Sequence, residues 1–593
     1  MAAEPVPAAQ ASLRDAAPAS KQIVRRQVSL SGAAFSTDIP PLLQRVYAAR
    51  GALCDDDIAL DLKGLEPPAR MKGIGDAAEL LADAVMTGKR LLIVGDFDTD
   101  GATSTALSVL ALRAMGARHV DFLVPNRFEY GYGLTPEIVA VAAARQPDLI
   151  ITVDNGISSI DGVAAAADLG IPVLVTDHHL PGDALPAAAA IVNPNQPGCE
   201  FPSKALAGVG VMFYLLSALR GALRARNWFS DSGIEAPNLA DYLDLVALGT
   251  VADVVPLDRN NRVLVEQGLR RIRAGRCRPG IRALLAVAGR NAKNLVSTDL
   301  GFVVGPRLNA AGRLDDMSHG ILCLLSDDEA EALAMARELD HLNRDRRAIE
   351  SGMQREAFAA LEQLALDGDD MAWGLCLFRP GWHQGVVGLV ASKVKERFHR
   401  PVIAFAEAED GVLKGSARSI PGLHIRDVLD AVAARHPALL SKFGGHAMAA
   451  GMSLARDCLE DFARAFDREV RRQLSADDLT ATLFSDGELD GSEFELALAE
   501  QLRIAAPWGQ QFPEPLFDGR FRLITQRIVG ERHLKMIVEN AAGQKLDAIA
   551  FNVDTAQWPA PQVNAVHLAY KLDVNEFRGQ RSVQLLVEHI AAV

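Results

Sequence analysis

Short apolar segments alternate with helical segments across residues 89–177, and this alternation limits the possible folds more than any other feature of the chain. The apolar segments are KRLLIVGD, HVDFLVP, DLIITVD and IPVLVTD. Strands that are apolar on both faces are typical of parallel sheets covered by helices on both sides. The pattern therefore predicts an open α/β domain with a doubly wound parallel sheet.

Further elements follow this domain. Residues 328–361 are mostly helix formers, which predicts a long connecting helix. The segments GLCLFRP, RPVIAFAEA and GVLKGSAR predict the strands of a second α/β domain that ends near Val470. Residues 477–500 contain eight acidic side chains and no Lys or Arg. From Pro515 onwards, short alternating strands predict a small β-barrel of the OB type.

Composition excludes several classes of protein. A chain with 49% hydrophobic and 23% charged residues is not disordered as a whole. No apolar run approaches the roughly 18 residues of a membrane span, and the first residues lack the basic start and apolar stretch of a signal peptide. The six cysteines form no CxxC pair, so we expect buried thiols in a reducing cytoplasm. The net charge of -14 argues against a polyanion partner unless the charges are unevenly distributed.

Acidic side chains follow three of the predicted strands. They are Asp96 and Asp98 after LLIVG, Asp154 after LIITV, and Asp177 with His178 and His179 after VLVT. Ligands of doubly wound sheets bind beyond the carboxyl ends of the strands, so these groups can converge on one crevice. Carboxylates brought together without cations repel one another and lose solvation, and a divalent metal removes both penalties. The alternative is that each is a helix N-cap, as we expect for Asp100.

The donor types favour a particular metal. Imidazole together with carboxylates favours Mn²⁺ over Mg²⁺, although Mg²⁺ stays open. Two ions about 3.5–4 Å apart would allow one to hold the attacking hydroxide and the other to stabilise the leaving oxygen of a phosphoester. Asp253, in the apolar segment LGTVADVVPLD, is a further candidate ligand, with a cap on the following turn as the alternative.

The motifs GDFDTDGATS, VDNGIS, TDHH and GTVADVVPL resemble, in order, those of the DHH family of phosphoesterases. The later motifs GPRLNAAGRLDD, GWHQGVVG and KFGGHAMAAGMSL are similar to those of the family's exonucleases. The resemblance spans roughly residues 70–470. Together with the composition and periodicity of the chain, it predicts six domains or segments. They are a disordered or loosely packed leader over 1–45, a DHH catalytic domain over 46–326, a connecting helix over 327–363, a DHHA1-like substrate-binding domain over 364–472, an acidic linker or packing segment over 473–514, and an OB-fold over 515–593.

The resemblance also implies roles for individual residues. The expected metal ligands are Asp96, Asp98, Asp154, His178 and Asp253, with Asp154 bridging two ions. His179 would face the scissile phosphate, and Asp177 would support the His pair.

Basic and polar residues of later motifs are candidates for phosphate binding. Arg307 and Asn309 of GPRLNAAGR are expected near the metal centre, because a guanidinium binds phosphate bidentately. Arg313 stays open between such a role and pairing with Asp315 or Asp316.

Further residues complete the predicted substrate site. Gly444, Gly445 and His446 form a glycine-rich turn, and His446 resembles a residue that reaches the substrate phosphate. Ser416 and Arg418, together with Arg127, resemble the pocket for a 5′-terminal phosphate. For Arg127, pairing with Glu129 is the alternative.

The activity that the resemblance implies is Mn²⁺-dependent degradation of single-stranded DNA from 5′ to 3′, with release of mononucleotides, in DNA repair and recombination. Expected partners are a single-stranded-DNA-binding protein and a helicase, with the enzyme a cytoplasmic monomer. The eight arginines across residues 259–282 are either a solvated face or a border of the DNA channel. Two alternatives are a DHH phosphodiesterase acting on short RNA or small phosphoanhydrides and a non-catalytic DNA-binding replication scaffold.

Overall fold

The computed structural model describes residues 21–126, 130, 133–366, 371–408, 411–440, 442–577 and 579–593. The described chain forms two compact units. The larger unit contains Arg25–Asn343 and Ser485–Val593, and the smaller contains residues 21–24 together with Arg344–Phe484. The first 20 residues of the predicted leader lie outside the described residues.

The strands in the described part of the chain are β1 (Lys21–Arg25), β2 (Arg90–Gly95), β3 (His119–Leu123), β4 (Leu149–Val153), β5 (Val173–Thr176), β6 (Ala190–Val192), β7 (Leu375–Phe378), β8 (Val402–Glu407), β9 (Val412–Arg418), β10 (Lys442–Gly445), β11 (Ala449–Ala455), β12 (Ala481–Ser485), β13 (Phe517–Val529), β14 (His533–Glu539), β15 (Lys545–Ala550), β16 (Ala565–Phe577) and β17 (Gln580–Ala592).

The α-helices in the same part are α1 (Pro41–Ala48), α2 (Asp55–Ile58), α3 (Ile74–Met86), α4 (Thr99–Ala114), α5 (Pro136–Ala143), α6 (Ile160–Asp168), α7 (Gly208–Ala225), α8 (Trp228–Ser232), α9 (Leu243–Ala252), α10 (Arg259–Arg273), α11 (Pro279–Val287), α12 (Ser297–Asp299), α13 (Gly305–Leu314), α14 (Ser318–Leu325), α15 (Glu329–Leu366), α16 (Val387–Phe398), α17 (Ile425–Arg435), α18 (Leu459–Gln473) and α19 (Leu496–Ile504). Residues Leu300–Val304 form a π-helix between α12 and α13.

A five-stranded parallel sheet organises the first half of the larger unit. Its strand order is β3-β2-β4-β5-β6, and all four pairings are parallel. All residues of β4 and β5 are buried, as expected for strands covered on both faces. The chain leaves β2 towards β3 on one side and returns to β4 on the other, so the strand order reverses between β2 and β4. The predicted parallel-sheet domain is confirmed.

The larger unit also contains a closed barrel of strands β13-β14-β15-β17-β16. The barrel shares one hydrophobic core with the helices around the parallel sheet. Apolar residues within and just after the predicted acidic stretch contribute to this core, including Phe494, Leu502, Trp508 and Phe512. The acidic segment is therefore a packing segment, because its apolar side chains join the core that it shares with the barrel.

Residues 21–45 of the predicted leader include regular secondary structure. Strand β1 pairs with β12. Arg25 at its end binds the carboxylate of Asp518 in the barrel, with Nε 2.9 Å from Oδ1. Helix α1 buries Leu42 and Leu43. Arg25 and Asp518 are 493 positions apart in the chain, so no local pattern indicated this contact.

The smaller unit contains a mixed sheet of order β10-β11-β9-β8-β7, in which β7 and β8 are parallel and the remaining pairs antiparallel. Helix α15 leads into this unit and covers most of the predicted connecting helix. With a second α/β domain, a long helix and a barrel present, the predicted fold class is confirmed. None of the helices in the described ranges is long and apolar enough to cross a membrane.

A buried ion pair joins the end of α1 to the segment that precedes the barrel. Arg50 donates to both carboxylate oxygens of Asp486 at 2.9 Å, and both side chains are 1% exposed. The Arg50 guanidinium also lies 5.3 Å from the centre of the Trp508 ring. We predict that Asp486→Ala lowers the free energy of unfolding by about 3–5 kcal/mol, because it leaves a buried guanidinium without its carboxylate.

Urea unfolding followed by tryptophan fluorescence measures this loss. Glu495→Ala, at an exposed acid in the same segment, is the matched control and should change the free energy of unfolding by less than about 0.5 kcal/mol. Adding Arg50→Met to Asp486→Ala should recover part of the loss. Equal stability of Asp486→Ala and the control would contradict the assignment.

Candidate metal centre

The carboxyl ends of β2 and β4 flank the point where the strand order of the parallel sheet reverses. Asp96 and Asp98 follow β2, and Asp154 follows β4. One carboxylate oxygen of each lies within 4.8 Å of the other two. Asp96 and Asp154 are buried. The structure thus brings together three of the four strand-end carboxylates that the sequence predicts at this edge, at the usual ligand-binding position of such sheets.

Asp98 and Asp100 each accept hydrogen bonds from the N-terminus of a different helix. The Asp98 carboxylate accepts hydrogen bonds from the amides of Asp100 (2.9 Å) and Gly101 (3.1 Å), and so caps α4. Asp100, which we expected to be the cap, is fully buried in the first turn of α4. Its oxygens accept hydrogen bonds from the amides of Gly208 (2.7 Å) and Val209 (3.0 Å) at the start of α7. The expected cap is therefore wrong: Asp98 caps its own helix, and Asp100 binds the N-terminus of another.

His178 joins the carboxylates of separate elements. Its Nε2 lies 3.0 Å from Asp154 Oδ1, 3.4 Å from Asp253 Oδ2 and 3.9 Å from Asp100 Oδ2. Asp253 directly follows α9, which carries it to the cluster. Asp100, His178 and Asp253 form a second group able to hold a metal. The sequence analysis missed Asp100, although its place in the alternating DFDTD run was a signal.

Burial and mutual repulsion raise the pKa values of the clustered carboxyls. For Asp154 and Asp253, burial, followed by the charges of neighbouring carboxylates, raises the pKa well above its usual range. Burial, followed by the charge of Asp98, raises the pKa of Asp100 to about 7. Carboxylates with one imidazole, close together and shielded from water, form a donor set suited to a divalent cation. The residues present therefore fit the metal that the sequence predicted.

Asp177 orients the second histidine. Its Oδ2 accepts a hydrogen bond from the Ile157 amide (2.9 Å), and its Oδ1 accepts from the amides of His178 (2.7 Å) and His179 (3.1 Å). The same Oδ1 lies 2.7 Å from His179 Nδ1. Burial alone would lower the pKa of His179, but the hydrogen bond and charge of Asp177 raise it to about 9. The ring is thereby held by one nitrogen in a defined orientation.

Two asparagines that the sequence analysis did not single out hold the backbone of the His pair. Asn195 Nδ2 donates to the carbonyl of His178 at 2.6 Å, and Asn193 Nδ2 donates to that of His179 at 3.0 Å. Both follow β6 in the run VNPN, where polar residues directly after a buried strand were an available signal. They keep both imidazoles at the edge of the sheet.

The two residues predicted from GPRLNAAGR make different contacts. Asn309 Oδ1 accepts hydrogen bonds from the amide (2.8 Å) and the hydroxyl (2.9 Å) of Thr99, next to Asp98. Asn309 therefore positions the loop that carries a candidate ligand. Arg307 is buried and forms an ion pair with Asp340 of α15, with its Nε 2.9 Å from Oδ1. Phosphate binding by Arg307 stays a prediction. To bind a phosphate, the Arg307 guanidinium would have to bind it alongside the Asp340 carboxylate or give up the ion pair with Asp340.

The smaller unit brings Ser416 and Arg418 together on β9. Arg418 Nη1 donates to Ser416 Oγ at 3.0 Å and to the carbonyl of Ala417 at 2.7 Å. A side chain at Gly388, in the first turn of α16, would lie 2.8 Å from Ser416 Oγ and 2.9 Å from Arg418 Nη2. The amino end of α16 therefore lies directly against both residues. Burial lowers the pKa of Arg418.

The predicted glycine-rich turn lies in the same sheet. Gly444 and Gly445 end β10, and the amide of the exposed His446 donates to the carbonyl of Ala449 at 2.8 Å. Gly445 has a φ of 146°, and a side chain there would lie 2.5 Å from the Ala449 oxygen, so this turn requires glycine. Arg127, the third residue of the predicted terminal pocket, lies outside the described residues.

The arginines across residues 259–282 are used mainly for packing. Arg262 is buried, and its guanidinium lies 3.9 Å from the centre of the Phe512 ring. Arg278 Nη2 donates to the Leu325 carbonyl at 2.7 Å. Further contacts to protein groups are made by Arg259, Arg270, Arg271, Arg273 and Arg282. This run is neither simply a solvated face nor a row of cations available to DNA, because most of its charges bind other parts of the protein.

Comparison with known proteins identifies relatives over nearly the whole chain. Models of the DHH family N-terminal domain, the DHHA1 domain and the RecJ OB domain match residues 90–250, 372–472 and 485–589. The single-stranded-DNA-specific exonuclease RecJ of Dickeya dadantii (strain 3937) is 61% identical over 553 residues, which cover 93% of this chain and 96% of the relative.

Solved structures of the same kind of exonuclease are also similar to this chain over most of its length. Crystal structures of RecJ from Thermus thermophilus in complex with Mn²⁺ and with Mg²⁺ superimpose with TM-scores of 0.78 and 0.73. They are 29% and 28% identical to this chain, cover 98% and 97% of it, and are covered over 80% and 78% of their own lengths.

The amino end of α7 lies very close to the carboxylates of Asp154 and Asp100. A side chain at Gly208 would lie 2.7 Å from Asp154 Cβ and 3.0 Å from Asp100 Oδ2. Gly208→Ala should therefore displace both carboxylates and weaken Mn²⁺ binding by about tenfold or more, the range seen when groups that hold metal ligands are lost. Isothermal titration calorimetry with Mn²⁺ measures this effect.

Gly221→Ala is the matched control, because Gly221 lies in the same helix and a side chain there meets nothing within 4 Å. Its Mn²⁺ affinity should equal that of the unmodified chain. Unchanged affinity in Gly208→Ala would contradict the close packing of α7 against the candidate ligands.

Proposed function

The chain belongs to the RecJ family of single-stranded-DNA-specific exonucleases within the DHH phosphoesterases, and we propose that it hydrolyses the phosphodiester bonds of single-stranded DNA at the acidic cluster. The observation that carries this proposal is the meeting of Asp96, Asp98, Asp154, His178 and Asp253 at the reversal point of the parallel sheet. A site built from these groups binds cations, and cations bind phosphate. The proposed chemistry is therefore metal-assisted phosphoester hydrolysis.

The five residues of this cluster are the proposed ligands of Mn²⁺, with Mg²⁺ as an alternative, and Asp154 belongs to two of the three groups of described residues able to hold a metal. Bound divalent cations supply a water of lowered pKa and neutralise the charge that develops on the phosphate. Asp100 supports the ligands by binding the start of α7, and Asn309 supports them by holding Thr99.

His179 is the proposed contact to the scissile phosphate. Its Nδ1 donates to Asp177, which turns Nε2 towards substrate as a donor to a phosphate oxygen. Asn193 and Asn195 donate hydrogen bonds to the backbone carbonyls of the His pair. These bonds keep the His179 ring in place while the DNA strand moves through the site. Removal of any of these supports should lower the rate without removing a metal ligand.

The terminal phosphate of the strand is the proposed ligand of Ser416 and Arg418. A guanidinium, a hydroxyl and the amino end of the 12-residue helix α16 meet there, and each is a favourable partner for a phosphate dianion. Recognition of a 5′-phosphate supports 5′ to 3′ degradation. His446, Gly444 and Gly445, in the same sheet, are proposed to contact the phosphate backbone.

Other expectations from the family stay predictions. They are the release of mononucleotides, a role in DNA repair and recombination, the contributions of Arg127 and Arg307, cooperation with a single-stranded-DNA-binding protein and a helicase, a monomeric state and a cytoplasmic location.

One assay tests the reaction itself. Uniformly labelled oligonucleotides, single-stranded or blunt duplex, are incubated with Mn²⁺ or with a chelator, and the released products are separated by chromatography. We predict mononucleotide release from single strands with Mn²⁺ alone. Asp154→Asn should lower the rate by more than about 100-fold, beyond the loss expected for an outer partner of a metal ligand.

Asp168→Asn is the control, because Asp168 is an exposed acid at the end of α6. It should leave the rate unchanged. Comparable degradation of blunt duplex DNA, or full activity of Asp154→Asn, would contradict the proposed function.

The terminal pocket is tested by the ratio of kcat/KM for 5′-phosphorylated over 5′-hydroxyl single strands. Arg418→Ala should lower this ratio by roughly 10-fold to 100-fold, because one charge-assisted hydrogen bond contributes about 1.5–3 kcal/mol. Arg468→Ala removes an exposed arginine of α18 and serves as control. An unchanged ratio in Arg418→Ala, with Mn²⁺ affinity retained, would remove this residue from the pocket.

A further inference from the structure

Phe302 is 76% exposed, more than any other large apolar side chain that the structure describes. It lies in the π-helix Leu300–Val304, whereas Leu300 and Val304 at the ends of this segment are buried. Burial of a phenylalanine side chain stabilises a folded protein, so the exposed ring forgoes a stabilising contact. One-turn π-helices are rare and occur often at functional sites. Single exposed apolar side chains are common on protein surfaces, however, so exposure alone does not indicate a binding role for Phe302. Its location relative to the acidic cluster is the further observation needed.

The π-helix is packed directly onto the segments that carry two candidate metal ligands. A side chain at Gly301 would lie 3.2 Å from Val251 Cγ1, and one at Gly305 would lie 3.2 Å from Ala252 Cβ. The Thr99 hydroxyl donates to the Gly305 carbonyl at 3.1 Å. Ala252 precedes Asp253 and Thr99 follows Asp98 in the chain. The backbone on either side of Phe302 therefore packs against the segments that carry Asp98 and Asp253.

Two more exposed apolar residues directly follow residues of the cluster. Leu180, which is 60% exposed, follows His179. Val254, which is 64% exposed, follows Asp253 and has a left-handed backbone with a φ of 61°. A β-branched residue rarely adopts this conformation, so the surrounding structure imposes the backbone conformation of Val254. The margin of the acidic cluster therefore presents apolar surface as well as charge.

Binding of single strands without sequence preference requires aromatic or apolar faces on which bases stack. Most arginines across residues 259–282 bind protein groups, so they add little to a cationic track. In the barrel, Phe517, Phe521 and Tyr570 are buried in the core. Phe302 has a highly exposed aromatic side chain on a segment whose backbone packs against those that carry Asp98 and Asp253.

We propose that the ring of Phe302 stacks on a nucleobase of the single strand whose phosphate is held at the acidic cluster, with Leu180 and Val254 contacting the neighbouring sugar or base. This inference rests on the proposed function, because it assigns a contact to the same substrate. Stacking on one ring is available to every base, so it binds the strand without reading its sequence. It also requires an unpaired base, which adds to the preference for single strands over duplex.

The test combines a protein change with a substrate change. Phe302→Ala, Phe302→Trp and the unmodified chain are compared on single strands that are intact or carry one abasic site, moved stepwise through the first five nucleotides. For the unmodified chain, one abasic position should lower kcat/KM by about 5-fold to 150-fold, the equivalent of one stacked base. Phe302→Ala should lose the same factor on intact DNA and show no further loss at that abasic position, and Phe302→Trp should restore both.

Leu169→Ala is the matched control, because Leu169 is 57% exposed and follows α6. It should behave like the unmodified chain. The inference is overturned if Phe302→Ala stays within twofold on intact DNA. It is also overturned if Phe302→Ala lowers kcat/KM equally on intact and abasic strands, since a structural defect would not depend on the missing base.

A second readout needs no catalysis and keeps the two proposals distinguishable. 2-Aminopurine placed at each of the first five positions reports stacking through quenching of its fluorescence when the strand binds. Quenching at one position by the unmodified chain and by Phe302→Trp, but not by Phe302→Ala, supports the contact. Quenching that persists in Phe302→Ala overturns it. Failure of the unmodified chain to cleave single strands contradicts the proposed function instead.

Discussion

Carboxylates held close together at one edge of a parallel sheet impose most of the structural demands of this chain. Buried charges of one sign repel and lose hydration, so each needs a partner. The protein supplies backbone amides: the start of α4 for Asp98 and the start of α7 for Asp100. Asp154 adopts a left-handed backbone with a φ of 62°, and Gly208 leaves room for its side chain. The remaining negative charge is what makes the site selective for cations.

The positive charges of the chain serve largely to join elements. Arg50 pairs with Asp486, Arg262 stacks on Phe512, and Arg25 binds Asp518. These contacts attach the segment before the barrel, and the barrel itself, to the core that surrounds the parallel sheet. Overall acidity is therefore compatible with a DNA substrate, since metal ions and a few placed groups carry the attraction that a basic surface supplies elsewhere. The number of charged residues in the sequence does not show which arginines bind other parts of the protein.

The smaller unit also brings a small number of charged and polar groups together at one place. One arginine, one serine and the amino end of α16 meet at β9, and burial lowers the pKa of Arg418. Gly388 allows this close approach, because a side chain there would meet Ser416 and Arg418.

Sequence alone determined the fold class, because apolar periodicity is a local feature. It also predicted that the strand-end acids Asp96, Asp98 and Asp154 lie at one edge of the sheet, because the carboxyl ends of parallel strands meet there. It could not determine which acid caps which helix: Asp100 binds Gly208, 108 residues away. It also did not reveal that most of the arginines across residues 259–282 bind protein groups, and it left the exposed ring of Phe302 unnoticed. Those outcomes depend on which distant surfaces pack together, since a side chain's partner is set by proximity in space, and only the tertiary structure decides that.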